Sequence, residues 1–341
     1  MLTRWVYSIE TESERLMHCA RQIACGFYRS NGFTVLPYTP SQYLSQIVTF
    51  PNLSYNNIPR FWEQVRKINV DSFPLVIDPK LFNTITKLLG SIDIKKPQFD
   101  EVKELWTQCE SEVISEIYKV LPQKNNIIKK ITIHPTSFGT SCSFNQIEDT
   151  GEVIMYLREG SGVHTITEAI ITVLTRLDIS NKLSGLWAES EMITDFLVTQ
   201  TSIAKVIEKY EAAEFFQPTI RGTRGKETAK IIQESNQYYQ KLGLPSFDQP
   251  FSLVDDKPHL FNKPMLDLSQ TELGLFRELI KNQNQVVDFD SLGSSISKDE
   301  DDFSLYAISK TVQRLRDKFE ANGISGSYIQ TLRGKGYLLK N

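Results

Sequence analysis

Apolar residues recur at helical spacing through much of the first 125 positions and again near the end of the chain, with a differently patterned stretch between. "ESERLMHCARQIACGFYRSNGF", "FNTITKLLGSI" and "FDEVKELWTQCESEVISEIYKVL" each place apolar side chains three and four residues apart, the spacing of a helix with one buried face. Between the first two, "YTPSQYLSQIVTFPNLSYNNIP" is punctuated by Pro and Asn and reads as loop. From about residue 129, β-branched and aromatic residues crowd into "KKITIHPTSFGTSCSFNQ" and "EVIMYLREG", which read as strands. Helical spacing returns in "HTITEAIITVLTRL" and in "WAESEMITDFLVTQTSIAKVIEKY". The expected class is α+β, with a mainly α N-terminal region carrying a small sheet.

A polar helical stretch, "GKETAKIIQESNQYYQKL", runs into "KLGLPSFDQPF", where Gly and Pro break the pattern. This places a boundary near 245 and separates residues 1–245 from 246–341. The second region opens with short strands around "FSLVDD" and "KPHLFN". Ser269 then precedes Glu272 by three residues, the spacing of a capping box, and Leu268, Leu275, Phe276 and Leu279 form one apolar stripe behind it. After a short helix around "DFDSLGSSI", the long helix "SLYAISKTVQRLRDKFEANG" buries Ile308, Val312, Leu315 and Phe319. That leaves Ser309, Lys310, Gln313, Arg314 and Arg316 on its other faces. The closing "IQTLRGKGYLLKN" has apolar flanks around an Arg-Gly-Lys-Gly turn and reads as a hairpin with two cations at its tip.

Composition narrows the class. The 341 residues, 40% of them hydrophobic, are enough for about two or three packed domains. "MLTRWVYSIETESERL" lacks the apolar run of a secretory signal, and no window approaches the roughly 18 apolar residues of a membrane span, so a cytoplasmic protein with no membrane partner is expected. Cys19, Cys25, Cys109 and Cys142 have no CxxC spacing and read as buried thiols. The cluster of His18 and Cys19 with Cys25 likewise reads as core. Net charge is −3, yet Lys310 to Lys340 holds seven cations against two anions, and an acidic run, Asp299, Glu300, Asp301 and Asp302, lies just upstream.

A helix that exposes Lys, Gln and Arg ahead of a cationic hairpin suits the major groove, where Arg and Gln can pair bidentately with guanine and adenine edges. The same pattern also describes a plain solvated face, or a surface for protein contacts. "LDLSQTELGLFRELIKNQNQVV", "ISKTVQRLRDKF" and "IQTLRGKGYLL", three separated motifs in one order, resemble the OmpR/PhoB-type winged-helix domain over the last 95 or so residues. The resemblance implies a winged helix-turn-helix fold and a transcriptional regulator bound to double-stranded DNA. It implies base contact by Arg314, phosphate contact by Arg316 and Thr331, and minor-groove contact by Arg333, with Lys335 beside it on the wing. Ser309, Lys310 and Gln313 complete the expected interface, and RNA polymerase is an implied partner. Two features depart from the pattern: Lys310 stands where an apolar residue is common, and "DFDSLGSSISKDEDD" replaces the usual Trp-bearing segment. The familiar phosphoacceptor receiver domain is not expected upstream, because the opening residues lack its paired acids. A peptide or small molecule is the expected ligand of the N-terminal region.

One further segment, about 129–210, resembles the core of the zincin metallopeptidases. His164 and Glu168 at i and i+4 share a helix face, and Glu191 follows on the next helix, a set suited to zinc. Thr165 occupies the general-base position of H-E-x-x-H, so no catalytic residue is assigned and no cofactor is expected. The segment equally fits an ordinary amphipathic helix. "EGSGVH" reads as a turn, lacking the Gly-Lys-Ser/Thr ending of a phosphate loop. A regulator with a sensing or oligomerising N-terminal region, and a divergent metallopeptidase carried to DNA by its winged helix, are the two functions weighed. Operator, sign of regulation and oligomeric state are not readable from the residues.

Overall fold

Among the described residues the strands form four sheets, one of four strands, two of three and one of two. The computed structural model describes residues 2–38, 47–70, 75–92, 96–147, 150–182, 187–211, 226–244, 250–261, 263–265, 267–296 and 304–340. These divide into two compact units that are discontinuous in sequence. Met1–Cys19, Val35–Leu53 and Ile68–Ile232 make the first; Ala20–Thr34, Ser54–Lys67 and Gln233–Asn341 make the second. The division falls within the helix Ile9–Ala24. The sequence boundary at 245 and the acidic run Asp299–Asp302 lie outside the described residues.

In the first unit, the strand-rich stretch forms a four-stranded sheet in the order Thr3–Trp5, Lys130–Thr136, Glu152–Arg158, Cys142–Ile147. The first three strands are parallel and the last is antiparallel. Ile131, Ile133, Val153 and Met155 are fully buried and, at i and i+2 on paired strands, line one face of the sheet. They pack with Trp106 of the helix Asp100–Val120 and with Ile166 and Ile170 of the helix Val163–Leu177. Trp106 meets its polar requirement by donating Nε1–H to Thr3 Oγ1 at 2.9 Å. The expected single helix over 187–210 is two helices, Trp187–Gln200 and Ser202–Ile207, because Thr201 takes an extended conformation and its hydroxyl caps the second by accepting from Ile203 N.

Where the strands end, buried polar groups fix the connections. Arg15, fully buried, donates Nε–H to the Phe138 carbonyl at 3.1 Å, and Arg158 donates to the Gly139 carbonyl at 2.9 Å. The Glu12 carboxylate accepts from Ser137 N at 2.9 Å, and burial pushes its pKa up to about 7 despite that bond.

The C-terminal part of the second unit, from Phe251 on, is built on three helices and two small sheets. Phe251–Val254, Lys257–Leu260 and Lys263–Pro264 form a meander, and Val286–Val287, Gly336–Leu339 and Ile329–Leu332 form the other sheet in that spatial order. Between them run the helices Gln270–Lys281, Phe289–Ile296 and Leu305–Ala321. The expected capping box closes the first: Ser269 Oγ accepts from Glu272 N, and Glu272 Oε2 accepts from Ser269 N at 2.7 Å. The expected stripes meet in one core, where Leu275, Phe276, Leu279, Ile308, Val312, Leu315 and Phe319 are all fully buried. Phe251 stacks on Phe319 with ring centroids 5.1 Å apart.

Candidate nucleic-acid interface

The helix Leu305–Ala321 starts where Ser304 caps it, its hydroxyl accepting from Ala307 N at 3.1 Å. With Ile308, Val312, Leu315 and Phe319 buried, helical geometry turns Ser309, Lys310, Gln313 and Arg314 to solvent, and all four are exposed. Ser309 is held by a 2.9 Å hydrogen bond to the Tyr337 hydroxyl. Lys310 lies over the Tyr306 ring, 5.3 Å from its centroid, and Gln313 donates to Asp317 Oδ1 at 2.9 Å. These are weak surface contacts that a competing base edge or phosphate can replace.

Arg316 is placed differently. Its guanidinium donates twice to the Ile329 carbonyl, at 3.1 and 2.7 Å, and once to Thr331 Oγ1 at 2.9 Å. The two residues expected at phosphates are thus joined to each other, and Arg316 ties the helix to the strand Ile329–Leu332. Lys318, also cationic in sequence, bonds inward: its ammonium meets Glu272 Oε2 at 2.7 Å, one turn into the capped helix. Burial alone would raise the Glu272 pKa, but the bonds from Lys318 and Ser269 outweigh it and hold the carboxyl below its ordinary value.

The closing hairpin pairs Ile329–Leu332 with Gly336–Leu339, ending at Leu332 opposite Gly336. Lys335 N donates to the Leu332 carbonyl at 2.9 Å to close the turn, which leaves Arg333, Gly334 and Lys335 exposed. Gly336 is required there: its φ is +142°, and an added Cβ would lie 2.0 Å from the Val287 carbonyl oxygen of the third strand. The tip therefore presents two cations on a short loop whose base is fixed on both sides.

The zinc candidates are not assembled in this way. His164 takes Glu211 as its partner, with Nδ1 2.9 Å from Glu211 Oε2 and its own backbone N–H donating to the same oxygen at 2.9 Å. Burial alone would lower the His164 pKa, but that bond and the charge of Glu211 outweigh it and raise the value. Glu168 and Glu191 are half-buried, and among the described residues no group of three or more His, Cys, Asp and Glu side chains could hold a metal ion. The zincin-like reading of 129–210 gains no support here: His164 and Glu168 keep their i, i+4 spacing, and His164 pairs with a carboxylate further along the chain. Cys19, Cys25 and Cys109 are buried thiols, as expected, and Cys142 is half-buried. "EGSGVH" is a turn leading into the helix Val163–Leu177.

Sequence reasoning missed the N-terminal contribution to this unit. Ala20–Thr34 and Ser54–Lys67 pack with the C-terminal residues, and nothing local in either stretch signals a partner roughly 180 to 300 positions away.

Capped leading helix, helix with an exposed polar face, and three-stranded sheet ending in a cationic wing together define a winged helix-turn-helix. Residues 262–339 match the family model described as transcriptional regulatory protein, C terminal, so this segment is an OmpR/PhoB-type domain. Two curated relatives are similar to part of this chain. The sensory transduction protein BceR of Halalkalibacterium halodurans is 35% identical over 75 residues, which is 22% of this chain and 32% of that protein. BceR of Bacillus subtilis is 33% identical over 89 residues, 26% of this chain and 38% of that protein. The match therefore spans about a third of the length of these relatives. A solved structure described as a novel family of redox sensors in the streptococci, evolved from two-component response regulators, aligns at 14% identity over 72% of this chain and 96% of that one, with a TM-score of 0.23. Among the described residues, no helix is long and apolar enough to cross a membrane.

Proposed function

We propose that this chain is a sequence-specific regulator of transcription that binds double-stranded DNA through its winged helix. The observation that carries the reading is the division of labour on one helix. Ile308, Val312, Leu315 and Phe319 are fully buried, while Ser309, Lys310, Gln313 and Arg314 are exposed beside a wing that exposes Arg333 and Lys335. In this reading the helix enters the major groove, Arg314 and Gln313 read base edges, and Lys310 and the wing cations meet the backbone or a narrow minor groove. Arg316 and Thr331 act from behind, holding helix and strand together. Residues 1–245, apart from Ala20–Thr34 and Ser54–Lys67, which fold with the C-terminal residues, serve as an input region of non-receiver type, taking a peptide or small molecule. A sheet with an antiparallel edge strand, unlike the all-parallel order of receiver-like folds, supports this. The regulator works in the cytoplasm and needs no cofactor. No observation favours the peptidase alternative.

The test is selection of bound sequences from a random duplex pool by the full chain, followed by titration of Arg314→Ala on the enriched duplex and on random duplex. A base-reading Arg314 predicts a loss of about 1–3 kcal/mol on the enriched site with non-specific binding nearly intact. Failure to enrich any sequence would remove specific readout. An equal loss on both probes would reassign Arg314 to phosphate.

A further inference from the structure

The turn between the recognition helix and the wing is gripped from outside the winged-helix fold. The helix ends at Ala321 and the first wing strand begins at Ile329, so residues 322–328 set the angle between the two DNA-facing elements. Ala20–Thr34, in the same compact unit, touches each side of that turn. At the helix end, Arg21 donates to Glu320 Oε2 at 2.8 Å, while the other carboxylate oxygen accepts from Gly326 N at 2.8 Å. One carboxylate therefore joins the N-terminal segment, the last helical turn and the connecting turn. Within the turn, Ser325 N donates to the Cys25 carbonyl at 2.9 Å, and the hydroxyls of Ser30 and Ser327 lie 2.6 Å apart. On the sheet, the Ser30 carbonyl accepts from Gln330 Nε2 at 3.1 Å and from Lys340 Nζ at 2.9 Å, one residue from each wing strand or its end.

The fit is close. Gly26, at φ +76°, faces Tyr328 so tightly that an added Cβ would lie 2.3 Å from its hydroxyl oxygen. Arg21 is 8% exposed, and its second nitrogen lies 3.0 Å from Cys25 Sγ. Every one of these contacts falls at the end of the helix and at the strand ends remote from the tip, away from Ser309, Lys310, Gln313, Arg314, Arg333 and Lys335. We propose that Ala20–Thr34 is a brace for DNA recognition, in which Arg21 and the Ser30 carbonyl are positioning groups that set the helix against the wing. Bidentate readout tolerates displacements of only about 0.5 Å and 10–20°, so an element that fixes this angle governs affinity without touching DNA. The proposal rests on the DNA-binding reading for its function, though its geometry does not.

The experiment uses the full chain with Arg21→Met, Arg21→Lys and Gln330→Ala, beside Arg333→Ala/Lys335→Ala as a wing control. Amide hydrogen exchange is followed over residues 319–340, and binding is titrated on the enriched duplex at several salt concentrations. Arg21→Met should speed exchange in the turn and weaken binding by about three- to tenfold. Its slope of log K against log salt should stay as in the wild type, because no phosphate contact is lost. Arg21→Lys should recover most of both, a rescue that mere loss of packing would not give. If Arg21→Met fails to fold, Gln330→Ala, which removes one of the two side-chain donors to the Ser30 carbonyl, decides by the same readouts. Unchanged exchange and unchanged affinity in the brace variants, with affinity lost in the wing control, would overturn the proposal. Should the wild type bind no duplex, the DNA reading fails and exchange alone decides: faster exchange upholds the brace and unchanged exchange removes it.

Discussion

The Glu12 carboxyl is strongly perturbed by its surroundings. Burial lifts its pKa from the ordinary carboxylate range to about 7, and one of its oxygens has no partner among the described residues. A group whose folded pKa is raised stabilises the fold while protonated, so its contribution is complete below about pH 4.5 and is lost as pH rises through about 7. Glu12→Gln should flatten the melting temperature of the first unit between those pH values and leave it nearly unchanged at the acid end. Denaturation curves across that range check the expectation. His164 titrates with the same sign, its raised value meaning stability lost as pH climbs above about 6.5. Glu211→Gln should lower the His164 pKa measured by NMR titration, and an unshifted value would show that the pairing is not what holds it. At this scale the sequence distinguishes charge but not its destination. Lys310 and Arg314 were legible as surface groups because the helical period fixes which face is buried. Arg316 and Lys318 have the same chemistry, yet one reaches a carbonyl of the next strand and the other a buried carboxylate, and neither partner lies within a helical turn.

Elements were legible wherever local physics decides them. The capping box at Ser269, the stripe through Leu275 and Leu279, and the glycine-bearing hairpin each arise from residues a few positions apart. Ser269→Ala should therefore cost about 1 kcal/mol of stability, read from chemical denaturation of the full chain. The loss is expected to exceed that of Ser294→Ala, an exposed site whose hydroxyl bonds to a carbonyl of its own helix. Gly336→Ala should be more damaging, about 2 kcal/mol or more, since backbone strain at φ +142° adds to collision with Val287. Disordered wing resonances in an otherwise folded protein would be its signature. The break at Thr201 escaped the periodic pattern because an apolar stripe continues across it while the backbone does not.

The whole molecule was the least legible scale. Hydrophobic period and punctuation place a boundary in the chain but cannot reveal that an early segment folds with a late one, and here Ala20–Thr34 and Ser54–Lys67 join Gln233–Asn341. The hydrogen bonds concerned span 180 to 310 positions, distances over which no sequence window carries a signal. A fragment covering only 233–341 should fold with reduced stability and bind apolar dye, because Tyr328, 1% exposed in the complete unit, loses the backbone of Gly26 beside it. Adding a synthetic peptide of residues 20–34 should raise its melting temperature in a concentration-dependent way. A fragment as stable as the second unit of the full chain would contradict the expected coupling.

The pairing of Ser30 with Ser327 also has a temporal side. At roughly 5–20 residues per second of synthesis, the brace leaves the ribosome some 15–60 s before its partners exist. Ile23 and Tyr28, buried in the finished protein, must wait through that interval without their final neighbours, a situation that favours capture by a chaperone. Closing so long a loop also slows the last folding step relative to a winged helix folding on its own. In pulse-labelled nascent chains, residues 20–34 should therefore gain protease resistance only after the strand Gly336–Leu339 has emerged.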